Sequence, residues 1–440
     1  MPERLSTRVL PGRVDPEALF VALERESSDL FWLDAGADAT EGWSFLGTGE
    51  RSAFPGEVRL DGGGATDAEL PPLRDGWVGW ADYESGARVA GAPVADTGEA
   101  AGGAWLRITR LIAVEHGTGR AWASAPDAAL DEWSSFAAEA SRRAVDALTP
   151  PTVGAVRPVH ARHTPGEYSA LIERCRDLIR AGIAYQLCLT TRFTVEGRHD
   201  AATVYRRLRA ATPAHHGGFL RIDGRALLSA SPEQFLHARR GIIRTKPIKG
   251  TRPRSDDSVL DAALAAELSV DPKERAENVM IVDLMRNDLS QVCEPGSIRV
   301  EALWSVESYP AVHQLVSTVS GVLTAGTTVG ALFEAAFPAG SMTGAPKLSA
   351  MTRLHDLERA PRGIYAGCFG YIGSDGDVDL AMVIRSIVVD GERATVGAGG
   401  GITWGSVAAS EVAEVATKAR APLAALGAEM PAAWASDILN

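Results

Sequence analysis

Through residues 1 to about 150, short apolar runs alternate with Gly, Pro and Asp turns, as in FWLDAG, GWVGWADYE and WLRITRLIAVEHG. Such runs predict strands, and an Ala-rich stretch from about Asp127 to Leu148 predicts a helix that closes the region. The segment TPPTVGAVRPVHARHTPGEY, rich in proline and polar residues, reads as a linker. Its last residues, Thr164-Pro165-Gly166-Glu167, carry a capping box with proline in the first turn, so a helix is expected to run to about Arg180. Beyond it, YQLCLTTRFTV, GFLRI and ALLSAS predict strands, and helices follow around 256–269 and 272–289. The expected organisation is a strand-rich subdomain over 1–150, a linker over 151–164, a larger body over 165–425 and a frayed tail over 426–440. Hairpins mixed with long helices make the fold class α+β with largely antiparallel sheets.

Composition narrows the function. The chain has 440 residues and a net charge of −12, which argues against a nucleic-acid surface but leaves room for a local cationic pocket. The start, MPERLSTRVLPGRV, has no apolar run of a secretory leader, and no stretch approaches a membrane span. Cys175, Cys188, Cys293 and Cys368 are widely spaced without a CxxC pair, so reduced thiols and a cytoplasmic protein are expected. Of 44 cationic side chains only five are lysine: Lys246, Lys249, Lys273, Lys347 and Lys418. Lysine, unlike arginine, can lose its proton and attack carbon.

Several stretches carry candidate chemistry. Asp271 and Pro272 suit a helix start, which places Glu274 at the third position and Glu277 on the same face. In SEVAEVATKARA, Glu411, Glu414 and Lys418 share one helical face. Each pair alone is ordinary, a capping residue in one case and a solvated face in the other. Together they supply four carboxylates, a donor set that suits Mg²⁺, although spacing cannot show that the helices meet. The glycine-rich GAGGGITWGS (Gly397 to Ser406) allows backbone N–H groups to approach an anion closely. FPAGSMTGAPK offers small residues and two hydroxyls, and RTKPIKGTRPR packs five cations into eleven residues.

In this order, SPEQF, KPIKGTRPR, DPKERAENVMIVDLMRNDL, HQLVSTVSG, FPAGSMTGAPK, GIYAGCFGYIG, VIRSIVV and AGGGITWGS with its acidic helix strongly resemble the chorismate-utilising enzymes. The resemblance covers about 165 to 425, and FWLDAG, GWSFLG and GWVGWADYE resemble the family's N-terminal region. It implies antiparallel sheets packed as a sandwich, with helices outside. It also implies Mg²⁺ held by Glu277 and Glu414, with Glu274 and Glu411 supporting through water. Chorismate's carboxylates would meet Arg385, Tyr365 and the amides of Gly399, Gly400 and Gly401. Ser341, His313 and Lys347 would lie near the ring, and Glu233 would protonate the departing hydroxyl.

Two positions choose among the family's reactions. Members that add water carry a lysine base where this chain has Gln186, and an amide cannot deprotonate water. Anthranilate-forming members have a small residue where PIKGT places Lys249, whereas a lysine there is similar to members that aminate C4 through a covalent lysine adduct at C2. Anthranilate formation is the alternative. The lysine must be neutral to attack, and Lys246 and Arg252 are expected to lower its pKa if they lie close. The tryptophan-binding pattern of feedback-inhibited members is not matched, since the regions read FWLDAG and ATPAHHGGF. With neither an amidotransferase nor a lyase region in the chain, a glutamine amidotransferase partner is the expected ammonia source.

Overall fold

The strand Leu30–Asp34 is buried along its whole length, and alternation splits its side chains between two apolar clusters. Leu30 and Trp32 enter one core, packed with helices, while Phe31 and Leu33 enter another. The strand Arg225–Ser231 repeats the split, with Leu228 among helices and Leu227 joining Phe31. Cys368–Gly373 does so from the opposite side: Phe369 and Tyr371 meet the same central cluster, and Ile372 meets a third. Among the described residues the central cluster contains no helical residue. It fills the space between opposed parts of one continuous sheet.

This is a computed structural model that describes residues 4–61, 69–95, 102–143, 156–309 and 312–435. Among the described residues twenty strands are linked by ladders, and every ladder is antiparallel. One outer face takes the helices Pro16–Glu26, Leu130–Arg143, Pro165–Arg180, Ala201–Ala211 and Ala408–Ala425. The other takes Tyr83–Val89, Pro272–Ser290 and Val329–Ala336. The sandwich with outer helices stands as expected.

The two long stretches on either side of the linker interleave. Leu30–Asp34 pairs with His216–Ile222, and Gly76–Ala81 pairs with Cys368–Gly373. A boundary near residue 150 therefore does not separate two sheets. Within the expected linker, Val159–Ala161 forms a strand on Gln186–Glu196; residues 151–155 lie outside the described part, as does the end of the Ala-rich helix beyond 143. The tail is also more ordered than expected up to Ala435. Trp434 is 1% exposed and donates its indole N–H to the His163 carbonyl at 3.0 Å, so an aromatic anchor holds the short helix Ala432–Ala435. Residues 436–440 lie outside the described part. No described helix is long and apolar enough to cross a membrane.

Candidate active site

The strand Arg393–Ile402 pairs over its full length with Gln186–Glu196 and floors a cavity of about 460 Å³. Ala394, Val396, Ala398 and Ile402 turn into the helical core, so Gly397, Gly399 and Gly401 occupy the other face. Close approach requires glycine at all three positions. A Cβ on Gly397 would lie 2.1 Å from the Tyr365 ring, and one on Gly401 would lie 2.5 Å from the Gln186 amide and 3.2 Å from Lys249 Nζ. A Cβ on Gly400 would sit 3.1 Å from a Glu411 oxygen.

Lys249 enters from the opposite wall. Its strand, Ile248–Pro253, pairs with Val312–Val322, but the register slips between Ile248 and Thr251. Gly250 takes φ +84° in that slip, and Leu268 and Glu274 occupy the space a Cβ there would need. The bulge delivers the Lys249 side chain into the cavity, 3.9 Å from Glu277 Oε2. Burial works against its charge, but Glu277, Glu233 and Glu414 outweigh burial and raise its pKa. The expected like-charge lowering is not found. Lys246 is paired with Glu307 at 3.1 Å, and Arg252 with Asp271 at 2.9 Å and Glu267 at 3.0 Å. Their charges are neutralised away from the lysine.

Glu233 lies in the same cavity, after Ser231 and Pro232. Burial pushes its carboxyl up to about 7 against the pull of Lys249 and a hydrogen bond from Ser341, so near neutrality it can hold a proton to give. Arg385 also faces the cavity, and its guanidinium forms no hydrogen bond or ion pair with a described residue. Its backbone is left-handed, at φ +52°. Burial lowers its pKa against the attraction of Glu414 and Tyr365. A desolvated cation without a partner is a receptor for an anionic ligand.

The two acidic helices do meet. Asp271 caps Pro272–Ser290 through the Lys273 and Glu274 amides, and Lys273 Nζ then reaches 3.9 Å from Glu277 and 3.8 Å from Glu411. All four carboxylates line the cavity. Burial is the first cause that raises Glu274, Glu277 and Glu411, whereas Lys418, 2.7 Å from Glu414, holds that carboxyl low despite burial. Glu277 Oε1 is buried without a hydrogen-bond partner. Among the described residues no three acidic, histidine or cysteine side chains form a ready-made metal cage. Mg²⁺ needs only one or two carboxylates and keeps its waters, so an orphaned oxygen among carboxylates that repel one another fits it.

Three expected residues lie elsewhere. His313 does not face the cavity: Val312 and Gln314 do, and alternation turns His313 to Asp261 at 3.0 Å and Ser308 at 2.8 Å. Lys347 is bound to Asp288 at 2.6 Å and to the Ala336 carbonyl at 3.2 Å, because it opens a helix whose start faces that buried acid. Gln186 is fully buried behind Gly401, and neither end of its amide has a hydrogen-bond partner. The cavity adds Lys273, Lys418, Cys188 and Gln314, which were not expected there. Lys418 donates to the Gly399 carbonyl at 2.8 Å, a contact signalled only by its place one turn after Glu414. Leu33, Asp34 and Ala35 of FWLDAG, with His215, His216 and Gly217, line a separate cavity of about 540 Å³.

An antiparallel sandwich with a deep cavity of cations, carboxylates and glycine amides defines an enzyme class that holds a small, highly charged substrate. The chain belongs to the chorismate binding enzyme family, whose model matches residues 39–424. It is 39% identical to aminodeoxychorismate synthase of Streptomyces pristinaespiralis, over 99% of this chain and 67% of that one. It is 36% identical to aminodeoxychorismate synthase of Streptomyces griseus, over 96% of this chain and 64% of that one. The chain thus spans about two thirds of those relatives' length. Among solved structures it resembles anthranilate synthase component I of Streptococcus pneumoniae, with TM-score 0.73 and 27% identity, over 96% of this chain and 92% of that one.

Proposed function

We propose that this protein aminates chorismate at C4, giving 4-amino-4-deoxychorismate. The observation that carries this is Lys249, aimed by a bulge into a cavity that also holds Glu233. Arg385, with Tyr365 beside it, would take a carboxylate of the substrate, and the Gly399 to Gly401 backbone would take the other. Lys249, which its carboxylate neighbours hold protonated at rest, must first release a proton to solvent, which is why the reaction is tested at alkaline pH. The neutral amine then attacks C2 while the double bond shifts and the 4-hydroxyl leaves as water with the proton of Glu233. Ammonia then attacks C4, the double bond shifts back, and the C2–N bond breaks to return the lysine amine. Two shifted substitutions leave nitrogen where the hydroxyl was, and atoms balance as chorismate plus ammonia giving product plus water.

Glu277 and Glu414 are the residues that would hold Mg²⁺, with Glu274 and Glu411 behind them. When bound, the ion supplies positive charge that anchors a substrate oxygen and competes with Lys249 for Glu277. A separate glutaminase would supply ammonia, and release of 4-aminobenzoate would need a further lyase.

The rival is ammonia attack at C2 with loss of pyruvate, which needs no lysine in this position. The two are separated by mass spectrometry of products from chorismate, Mg²⁺ and an ammonium salt at alkaline pH. An aminated product that keeps its enolpyruvyl group supports C4 amination; 2-aminobenzoate with pyruvate sinks it.

A further inference from the structure

Lys273 puts a cation in the first turn of the helix Pro272–Ser290, where the helix dipole works against positive charge. Its pairing with Glu277 also runs in the weaker order for neighbours four residues apart, lysine before glutamate. Helix physics alone therefore does not account for this lysine. The second acidic helix does. Lys273 Nζ lies 3.9 Å from Glu277 Oε1 and 3.8 Å from Glu411 Oε1, so one ammonium stands between carboxylates of two helices. Both distances are beyond a hydrogen bond, and Glu277 Oε1 is buried without a donor. The ammonium balances these oxygens without bonding to them.

The other cations around the site are held more deeply. Lys418 donates to the Gly399 carbonyl at 2.8 Å and lies 2.7 Å from Glu414. Arg252 holds Asp271 and Glu267, with Glu274 at 3.8 Å, and Lys249 faces the other oxygen of Glu277. Their side chains are 28%, 21% and 16% exposed, against 52% for Lys273. Burial opposes the charge of Lys273, yet attraction to Glu277, Glu411, Glu274 and Glu414 outweighs it, so the ammonium feels all four carboxylates. It is the cation of this group that can move to solvent at least cost.

We propose that Lys273 is a tethered counter-ion for the acidic site, which gives up its place to a divalent ion and swings into solvent as that ion binds. A divalent ion on Glu277 would share the carboxylate with the ammonium, and like charges so close repel. Lys273 thus has two opposed effects. It keeps the acidic helices from repelling one another before an ion arrives, and it weakens binding of the ion that must displace it. The inference rests on the reading that Glu277 holds Mg²⁺, and goes beyond it by making binding an exchange of cations.

Calorimetric titration of the full chain with Mg²⁺, without chorismate or ammonia, reads the exchange. Lys273→Met keeps the reach of the side chain and removes its charge. It should bind Mg²⁺ roughly tenfold more tightly than the parent, the effect of deleting one like charge close to the ion. Lys273→Arg keeps the charge and should stay near the parent affinity. Lys273→Gln is a second neutral variant and should behave as Lys273→Met does, even if the methionine form fails to fold. Thermal unfolding gives an independent readout: in a chelator the neutral variants should melt below the parent, and Mg²⁺ should raise their Tm by more than it raises the parent's. Equal or weaker Mg²⁺ binding by the neutral variants, while Glu277→Gln loses the ion, would overturn the exchange and leave the metal assignment standing. Mg²⁺ binding that survives unchanged in Glu277→Gln, or no binding by any of these proteins, would overturn the metal reading and this inference with it.

Discussion

Lys249 owes its position to a backbone irregularity. A regular ladder over Ile248–Pro253 would keep alternating side chains in step with Val312–Val322, and the slip at Gly250 breaks that step where the amine must turn inward. The sequence PIKGT shows the glycine, but a bulge has no pattern of its own, so the residue was legible and its geometry was not. Glu233 yields a stability prediction. Its carboxyl sits at about 7 in the fold against an ordinary 4.5, so its contribution is fully present below 4.5 and is lost as pH rises through 7. Glu233→Gln does not titrate. Its Tm relative to the parent should therefore climb between those pH values, by the equivalent of roughly 1–3 kcal/mol, while amination falls about 100-fold or more. A Tm difference that is flat with pH would show that Glu233 ionises normally. Gly397→Ala tests the close approach of Tyr365. The added methyl must push the ring, costing about 1–3 kcal/mol of stability, and chorismate affinity measured by calorimetry should fall about tenfold. Unchanged affinity would mean that the ring does not contact the substrate.

Elements set what individual residues cannot. The helix starts were readable because capping is local: Thr164 with Glu167, and Asp271 with Pro272, stand as expected. Which face a strand residue presents was less readable. His313 was assigned to the cavity with its motif, yet the register of Val312–Val322 gives that place to Gln314. Lys347 likewise follows from a tertiary partner, Asp288, far away in sequence. The meeting of the two acidic helices is also tertiary, and Lys273 marks it by reaching both. If they hold Mg²⁺ together, Glu274→Gln and Glu411→Gln should each raise the Mg²⁺ needed for half-maximal activity by about 10- to 100-fold. Glu277→Gln and Glu414→Gln should raise it further. Mg²⁺ titration of the activity checks this, and four unshifted curves would remove the metal from these helices. At the C-terminus, Trp434 packs against Phe193 and Tyr168. Trp434→Ala should cost about 3–5 kcal/mol in denaturant unfolding with the kinetic constants of the remaining folded enzyme unchanged. A loss below 1 kcal/mol would mean that the short helix is dispensable.

For the whole molecule, strand richness, antiparallel pairing and outer helices were all visible as alternation, turn residues and caps. The interleaving was not, because FWLDAG and GWVGWADYE form plausible strands whatever strand they pair with. Their partners, His216–Ile222 and Cys368–Gly373, lie far along the chain, and only the filled space inside the folded sheet selects them. The same packing brings Lys249, Glu233, Arg385 and the acidic helices around one volume. The central claim is that the lysine becomes bonded to the substrate. The protein should be mixed with chorismate and Mg²⁺ without ammonia, quenched, digested and weighed by mass spectrometry. The account predicts that the peptide containing Lys249 gains the mass of chorismate less water, and that later addition of ammonia discharges it. An unmodified Lys249 peptide, together with a Lys249→Ala variant that still forms the 4-amino product at the parent rate, would contradict it.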